Sequence, residues 1–340
     1  MNKPTKTSQH FTLLRLLSDG GFHSGVQLAA ALGISRAVVW QRLQDVQNQF
    51  GLTLHRIQGR GYQLASPIDW LEYPPLQAAF SSLGLGVELS DEMPSTNSAL
   101  LLRAKASATQ ARNPAQVLVT EHQSQGRGRM NRRWNSGIGN SLTFSVLWHF
   151  ECNIAQLSGL SLVVGLAIQQ ALQNFGVETQ LKWPNDVLLN GQKLAGILIE
   201  MASTSPEEPA SVVIGIGLNT NAWPDEVDPM NSDQTASPTP ALERAHLHGK
   251  IERTALLIAI VRQLHGVLMR FEQVGFSAFL DAWNAVAAYR GLNVSLHFPY
   301  REPVQGLFLG VNDKGALCLS QHDTPCEFHT GELSLRLAEQ

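Results

Sequence analysis

The residues best suited to chemistry lie in two short segments. Residues 121–134 read EHQSQGRGRMNRRW. Gly126 and Gly128 let the backbone approach a ligand closely, and Arg127, Arg129, Arg132 and Arg133 gather enough positive charge to neutralise phosphates. Alone, this run reads equally as a solvated basic loop or a nucleic-acid patch; its place directly after a strand in an acidic part of the chain favours a ligand. Residues 182–186 read KWPND, and Lys193 opens KLAGIL seven residues later. Pro184 ends a strand and Asn185-Asp186 begins a turn, so the next strand should bring Lys193 back beside them. A lysine, a carboxylate and a nearby arginine loop suit an adenylation site, where cations offset the charge on ATP and the carboxylate holds Mg²⁺. A plain turn with an exposed lysine fits the same residues.

Two further segments are weaker. Ser95, Thr96 and Asn97 follow the strand-like residues 87–89 and open an apolar helix. Their hydroxyls and amide suit a small polar head group, although such residues at a helix start are by default caps. Gly215-Ile216-Gly217-Leu218-Asn219 ends a buried strand with glycines, which suits either a ligand lying close or a tightly packed core.

These segments must be positioned by a mixed α+β body. Strands are expected at 115–121, 142–148, 180–183, 187–189, 193–201 and 211–218, and helices at 97–107, 156–175, 254–273 and 276–289. Residues 203–210 and 222–240 are rich in Ser, Pro and Asp and read as loops, the second long enough to suggest function. From Gly291 onward, short apolar runs at 304–309 and 316–320, joined by the turn Asn312-Asp313-Lys314-Gly315, predict a small β domain.

Ahead of this body lies a unit of another kind. A helix at 12–17, a second at 23–32 and a third capped by Ser35 and running to Phe50 form a helix-turn-helix, with Gly33 in the turn. Two strands around Gly59-Arg60-Gly61 make a wing with a basic tip, and Ala65-Ser66-Pro67 closes the unit. Residues 1–66 hold seven Lys and Arg against two Asp, a charge of +5; the net charge of −3 leaves −8 on the remainder. A basic head on an acidic body predicts that the head meets a polyanion. Domains are expected at 1–66, 67–290 and 291–340 of the 340 residues. Cys152, Cys318 and Cys326 lack metal-ligand spacing and read as reduced thiols. No uninterrupted apolar stretch reaches the roughly 20 residues of a membrane span, and the start, MNKPTKTSQH, lacks a signal-peptide core, so the expected location is the cytoplasm.

In this order the motifs resemble the bifunctional biotin protein ligase and biotin operon repressor family. The likeness runs from the helix-turn-helix through GRGRxxRxW, KWPND, KLAG and GxGLN to the closing GELSLR at 331–336. It implies a winged helix-turn-helix, a central mixed-sheet ligase domain and a small C-terminal SH3-like β-barrel. Ser95, Thr96, Asn97 and Gln123 would then bind the ureido ring of biotin, with Arg127, Gly128 and Arg129 on the loop over it. Lys193 would reach the biotin carboxylate and the reacting phosphate, and Arg129, Arg132, Lys193 and Asn219 would hold ATP and the adenylate. Arg127, Arg129, Lys193 and Asp186 would form the catalytic set, with Asp186 placed for Mg²⁺ or for deprotonating the acceptor lysine. The acceptor would be the biotin carboxyl carrier protein of acetyl-CoA carboxylase. The adenylate would also act as corepressor, driving a homodimer onto operator DNA through Ser35, Arg36, Val38, Val39, Arg42 and Arg60; the +5 charge argues against a vestigial head.

Two segments depart from the family pattern. Met130 and Asn131 stand where the family often has a basic residue and then glycine, which predicts a stiffer, less charged loop. Trp223 comes too early in the chain to match the tryptophan that covers the adenine in some relatives. Two other readings stay open: a lipoate protein ligase of the same fold, and a ligand-sensing transcription factor without ligase activity.

Overall fold

The computed structural model describes residues 6–106, 115–202, 208–221, 245–247, 251–298, 301–322, 324–329 and 333–338. Most of the two Ser/Pro-rich loops, with Trp223, and Gly331 and Glu332 of the closing motif lie outside them.

The head comprises α1 (Lys6–Leu17), α2 (Gly25–Leu32), α3 (Arg36–Phe50) and the antiparallel wing strands β1 (Leu54–Ile57) and β2 (Gly61–Leu64). Its helix starts are chemically defined. Ser24 and Gln27 form a reciprocal capping box on α2, Ser35 Oγ accepts from the Val38 N–H on α3, and Gly33 turns the chain between them with φ +63°. Phe11, Leu13, Leu14, Leu17, Leu28, Val39, Leu43 and Val46 bury the shared faces. Ile68 and Ile138, both beyond the expected boundary, join that cluster and tie the head to the body.

The body is built on a seven-stranded sheet of order β3-β4-β5-β9-β8-β7-β6. Its elements in chain order are α4 (Tyr73–Ser81), β3 (Gly86–Met93), α5 (Thr96–Ala106), β4 (Gln116–Gln123), β5 (Ser141–His149), α6 (Leu160–Gln173), β6 (Gln180–Lys182), β7 (Asp186–Leu189), β8 (Gln192–Met201), β9 (Ser211–Asn219), α7 (Arg253–Val274) and α8 (Leu280–Ala285). β3 and β4 are parallel, joined by the crossover helix α5, and the other pairings are antiparallel. Strand alternation divides the core. Leu118, Leu147 and Val213 meet Leu100 of α5 on one face, while Val117, Val146, Val212 and Ile214 join α6 and α7 on the other.

Three expectations need correction. The single helix at 156–175 is a 3-10 turn (Ile154–Leu157) followed by α6, because Gly159 takes φ +82° between them. The helix at 276–289 is a 3-10 turn and the six-residue α8. Helix α4 went unread because its first turn is Tyr73-Pro74-Pro75, a pattern more often seen in turns, yet proline is tolerated where the N–H has no partner. The 22 residues of α7 are apolar and long enough to cross a membrane, but one face is buried in the core through Leu256, Leu257, Ile260, Leu264 and Phe271.

The C-terminal unit is an antiparallel sheet of order β13-β12-β11-β10-β14, from β10 (Asn293–His297), β11 (Val304–Val311), β12 (Leu317–Gln321), β13 (Thr324–Phe328) and β14 (Ser334–Leu337). The turn read at 312–315 is present, with Asn312 Oδ1 accepting from the Lys314 and Ala316 N–H groups. It reaches the body: Trp183 Nε1 donates to the Gly315 carbonyl at 3.1 Å, and Ser158 donates to the Lys314 carbonyl at 2.6 Å.

Candidate active site

On the α5 face, the strands change character beyond the N-terminus of that helix. Large residues under the helix, Leu118, Leu147 and Val213, give way to Ser145, Gly215 and Gly217. The two glycines are two apart, so both face the same way. Their hydrogens are required, because a Cβ on Gly215 would overlap the Asn97 amide and one on Gly217 would overlap the Trp134 indole. Gly196, paired with Gly217 across β8 and β9, completes this floor.

The start of α5 lines one side. Ser95, Thr96 and Asn97 are each under 5% exposed. Ser95 does act as a weak cap, accepting from the Ser98 N–H at 3.4 Å, but the other two side chains turn into the sheet. Thr96 donates to Gln123 Oε1 through its N–H at 2.8 Å and its hydroxyl at 3.1 Å. Asn97 donates to Glu200 Oε2 at 2.9 Å and accepts from the Ser145 hydroxyl.

Lys193 arrives by a local irregularity. β8 carries a bulge opposite Val187 and Leu188, so Leu194 and Ala195 both enter the core. Lys193 and Gly196 are thereby left on the same face, and a Cβ on Gly196 would sit 3.1 Å from Lys193 Nζ and 3.4 Å from the Trp134 ring. Lys193 Nζ pairs with Asp186 Oδ1 at 2.6 Å, as the turn at 182–186 predicted. Asn219 reaches the Lys193 carbonyl at 3.5 Å.

The arginine loop folds back along β8. Trp134 N–H donates to the Gly126 carbonyl at 2.9 Å and Gly128 N–H to the Arg132 carbonyl at 2.7 Å, which closes the loop on itself. At its tip Met130 has φ +57°, a left-handed conformation that costs a non-glycine residue roughly 1–2 kcal/mol. Arg127 pairs with Glu200 at 2.6 Å. Arg129 donates to Asn185 Oδ1 at 2.9 Å, while Asn185 donates to the Ile197 carbonyl at 2.9 Å. Two loop arginines, Lys193 and the α5 start therefore converge on one face of the sheet. Arg132 and Arg133 are exposed. Trp134, Ser145, Asn185 and Glu200 also line this face and were missing from the expected site; the paired glycines at 215 and 217 were the signal that bulky side chains lie on them.

The site can hold anions against fixed cations. Among the described residues no three His, Cys, Asp or Glu cluster to hold an ion, and Asp186 is already paired with Lys193.

In the head, α3 turns Arg36, Ala37, Trp40 and Gln41 outward. Two expected DNA contacts face elsewhere. Val39 is fully buried in the head core, since it falls on the inward stripe with Leu43 and Val46. Arg42 is half-buried, donating to Gln9 at 3.0 Å and pairing with Asp45 at 3.3 Å. Val38 is half-buried, and Ser35 is exposed but caps α3. On the wing, Arg60 lies 4.3 Å over the Phe22 ring and Arg56 6.0 Å over Tyr62.

The sequence profile of the Biotin/lipoate A/B protein ligase family matches residues 90–219, and that of an HTH domain matches residues 9–63. The Bifunctional ligase/repressor BirA of Salmonella typhimurium is 33% identical, covering 98% of this chain and 99% of that protein. The chain belongs to the bifunctional biotin ligase and repressor family. The Escherichia coli member BirA is 32% identical over 96% of this chain and 97% of its own, and the Bacillus subtilis one 27% over 95% and 97%. Among solved structures, the biotin protein ligase from Aquifex aeolicus in complex with biotin and ATP superimposes with a TM-score of 0.59 at 26% identity, covering 74% of this chain and all but 1% of that one. In family terms, the seven-stranded body is the ligase domain, and the head is the winged helix-turn-helix.

Proposed function

We propose that the chain joins biotin to ATP as biotinyl-5′-AMP, transfers the biotin to a lysine of a biotin carboxyl carrier protein, and represses DNA through its head. The observation that carries the ligase reading is the convergence of Arg127, Arg129 and Lys193 on a glycine floor lined by buried hydrogen-bonding side chains. In the first step a biotin carboxylate oxygen attacks the α-phosphorus of ATP and pyrophosphate leaves. In the second the acceptor amine attacks the anhydride carbonyl, loses a proton, and AMP leaves. No side-chain covalent intermediate is needed; positioning and charge neutralisation supply the rate.

Placement supports a role for each residue. Thr96, Asn97 and Gln123, with Ser95, take the polar ring of biotin, and Trp134 packs along it. Arg127, Gly128 and Arg129 form the covering loop. Lys193 bridges carboxylate and α-phosphate, with Arg132 and Asn219 toward the nucleotide. Asp186 holds Lys193 in place until phosphate replaces it as the partner. Mg²⁺ would accompany ATP as its counterion, and Asp186 is the residue that would hold it, offsetting phosphate charge there.

For repression, Ser35, Arg36 and Val38 open the helix that enters the major groove, Trp40 and Gln41 extend that face, and Arg60 contacts the backbone from the wing. Dimerisation on adenylate binding would present two heads to two half-sites. We divide the chain at 1–66, 67–290 and 291–340, with Ile68 and Ile138 reaching back into the head. The need for ATP, acceptor and operator supports a cytoplasmic location, and the free thiols fit it; burial pushes those of Cys152 and Cys318 up and makes them poor nucleophiles.

The test is direct. Purified protein is incubated with ATP, Mg²⁺, a carboxyl carrier domain and either biotin or lipoate, and the acceptor is examined by mass spectrometry. Biotin on the acceptor lysine is the expected product. Preference for lipoate, or tight biotin binding without pyrophosphate release, would replace this reading with one of its rivals.

A further inference from the structure

Glu200 lies outside every motif of the sequence, seven residues after Lys193 on β8 and on the same face as Gly196 and Leu198. Its Oε2 receives two donors, Asn97 Nδ2 at 2.9 Å and Arg127 Nη2 at 2.6 Å. The first of these has consequences across the pocket. A carboxylate can only accept, so together with the Leu198 carbonyl, which takes the same Nδ2 at a longer 3.3 Å, it holds the NH₂ end of the Asn97 amide toward itself and the carbonyl end away. That carbonyl meets Ser145, a fully buried residue whose single hydroxyl proton is thereby committed. Ser145 Oγ must then accept on its other side, where Thr96 Oγ1 stands 2.6 Å away. The Thr96 proton is in turn shared between Ser145 and Gln123 Oε1, the latter at 3.1 Å. Thr96 is left with lone pairs only for a ligand, while Ser95, which accepts from the Ser98 N–H, keeps its proton to give. A cyclic urea, with two N–H donors and one carbonyl, matches that polarity.

We propose that Glu200 is a positioning residue for the biotin head group: it sets the donor and acceptor direction of the chain Asn97–Ser145–Thr96–Gln123 and ties Arg127 over the same pocket. This rests on reading the pocket as the biotin site. Replacing the carboxylate with a group that can donate leaves only the longer Leu198 contact on the Asn97 NH₂, so the amide and both hydroxyls can turn over and misalign the ring contacts.

Glu200→Gln and Glu200→Ala are compared with wild type by biotin-dependent exchange of pyrophosphate into ATP, with Glu88→Gln as a control. Glu88 pairs with Arg103 at 2.8 Å farther along α5, so loosening that helix alone would register there. The expected result is a KM for biotin raised about tenfold or more in both Glu200 variants, from losing hydrogen bonds to a charged group, with the KM for ATP within about twofold. Glu88→Gln should leave both constants within about twofold. A biotin KM unchanged in folded Glu200→Gln, or biotin and ATP constants rising together, overturns the proposal. Should Glu200→Ala fail to fold, the isosteric Gln variant carries the test. Absence of biotin-dependent exchange in wild type overturns the biotin reading itself, a result distinct from either.

Discussion

Two ion pairs in the body show how burial separates structure from function. Arg253 and Glu121 are 0% and 1% exposed and 2.8 Å apart. Arg253 also donates to the Asp69 carbonyl at 2.6 Å and the Ser141 carbonyl at 2.8 Å, and Glu121 Oε1 accepts from the Leu71 N–H at 2.8 Å. Each partner is bonded on several sides, so neither is available to a ligand. Lys193 and Asp186 form a single contact with side chains 39% and 19% exposed. Pairs of that kind are worth about 0–1 kcal/mol, so a phosphate or carboxylate entering the site displaces one at little cost. The buried pair pins the linker at 69–71, α7 and the end of β4 together; the partly exposed pairs hold cations ready for exchange.

The sharpest way to break this contrast is to remove one buried partner. Arg253→Met should destabilise the protein by about 3–5 kcal/mol in urea unfolding, because Glu121 is left charged and unpaired, while Arg253→Met with Glu121→Met should recover most of that loss. Equal losses in the single and double variants would mean that packing, not the charge, is what matters there.

Lys193→Met tests the other pair. Adenylation should fall about 10²–10³-fold in kcat, as for other lost transition-state contacts, with stability changed by less than about 0.5 kcal/mol. A large drop in the unfolding midpoint would place Lys193 with the structural pair instead.

Gly217→Ala sharpens the account of the floor. The added methyl displaces Trp134, and biotin affinity measured by calorimetry should fall roughly tenfold, in line with an overpacking cost of about 1–3 kcal/mol. Unchanged affinity would show that Trp134 does not border the ligand.

The smallest effect is expected in the head. Burial holds the His10 imidazole below its usual value, outweighing the nearby Asp45 carboxylate. A lowered folded value means the stabilisation is complete above the unfolded pKa of about 6.5 and declines as pH falls below it. His10→Gln should therefore flatten the loss of thermal stability between pH 7.5 and 5.5; an identical slope in both proteins would remove His10 from the acid response. Asp45, held down to about 2 first by its hydrogen bond from Lys6, keeps its charge throughout that range.

Much of this was legible in the sequence because local chemistry agrees with the fold. The serine cap at 35, the glycine turn at 33, and the apolar run ending in glycines at 211–218 each specify their element independently. What was not legible depended on register. A bulge at Leu194 decides that Lys193 faces the glycine floor, and nothing in KLAG announces it. Glu200 and Ser145 look like ordinary strand residues until β8 and β5 are brought beside α5. Val39 and Arg42 were assigned to DNA through the resemblance, whereas the helical period buries Val39 and the Arg42 guanidinium is engaged by Gln9 and Asp45. Glu121 closes the expected strand at 115–121 and opens the candidate segment, and only its burial against Arg253 shows it to be the anchor beneath.

The central claim, that Lys193 and the arginine loop act together on a biotin and a nucleotide, is tested most directly by measuring two properties of one Lys193→Met sample: biotin binding, and biotin-dependent exchange of pyrophosphate into ATP. The account predicts that biotin still binds within about tenfold of wild type through the α5 side of the pocket, while exchange falls to background. Exchange at the wild-type rate would contradict it, since the reacting phosphate would then lie away from Lys193.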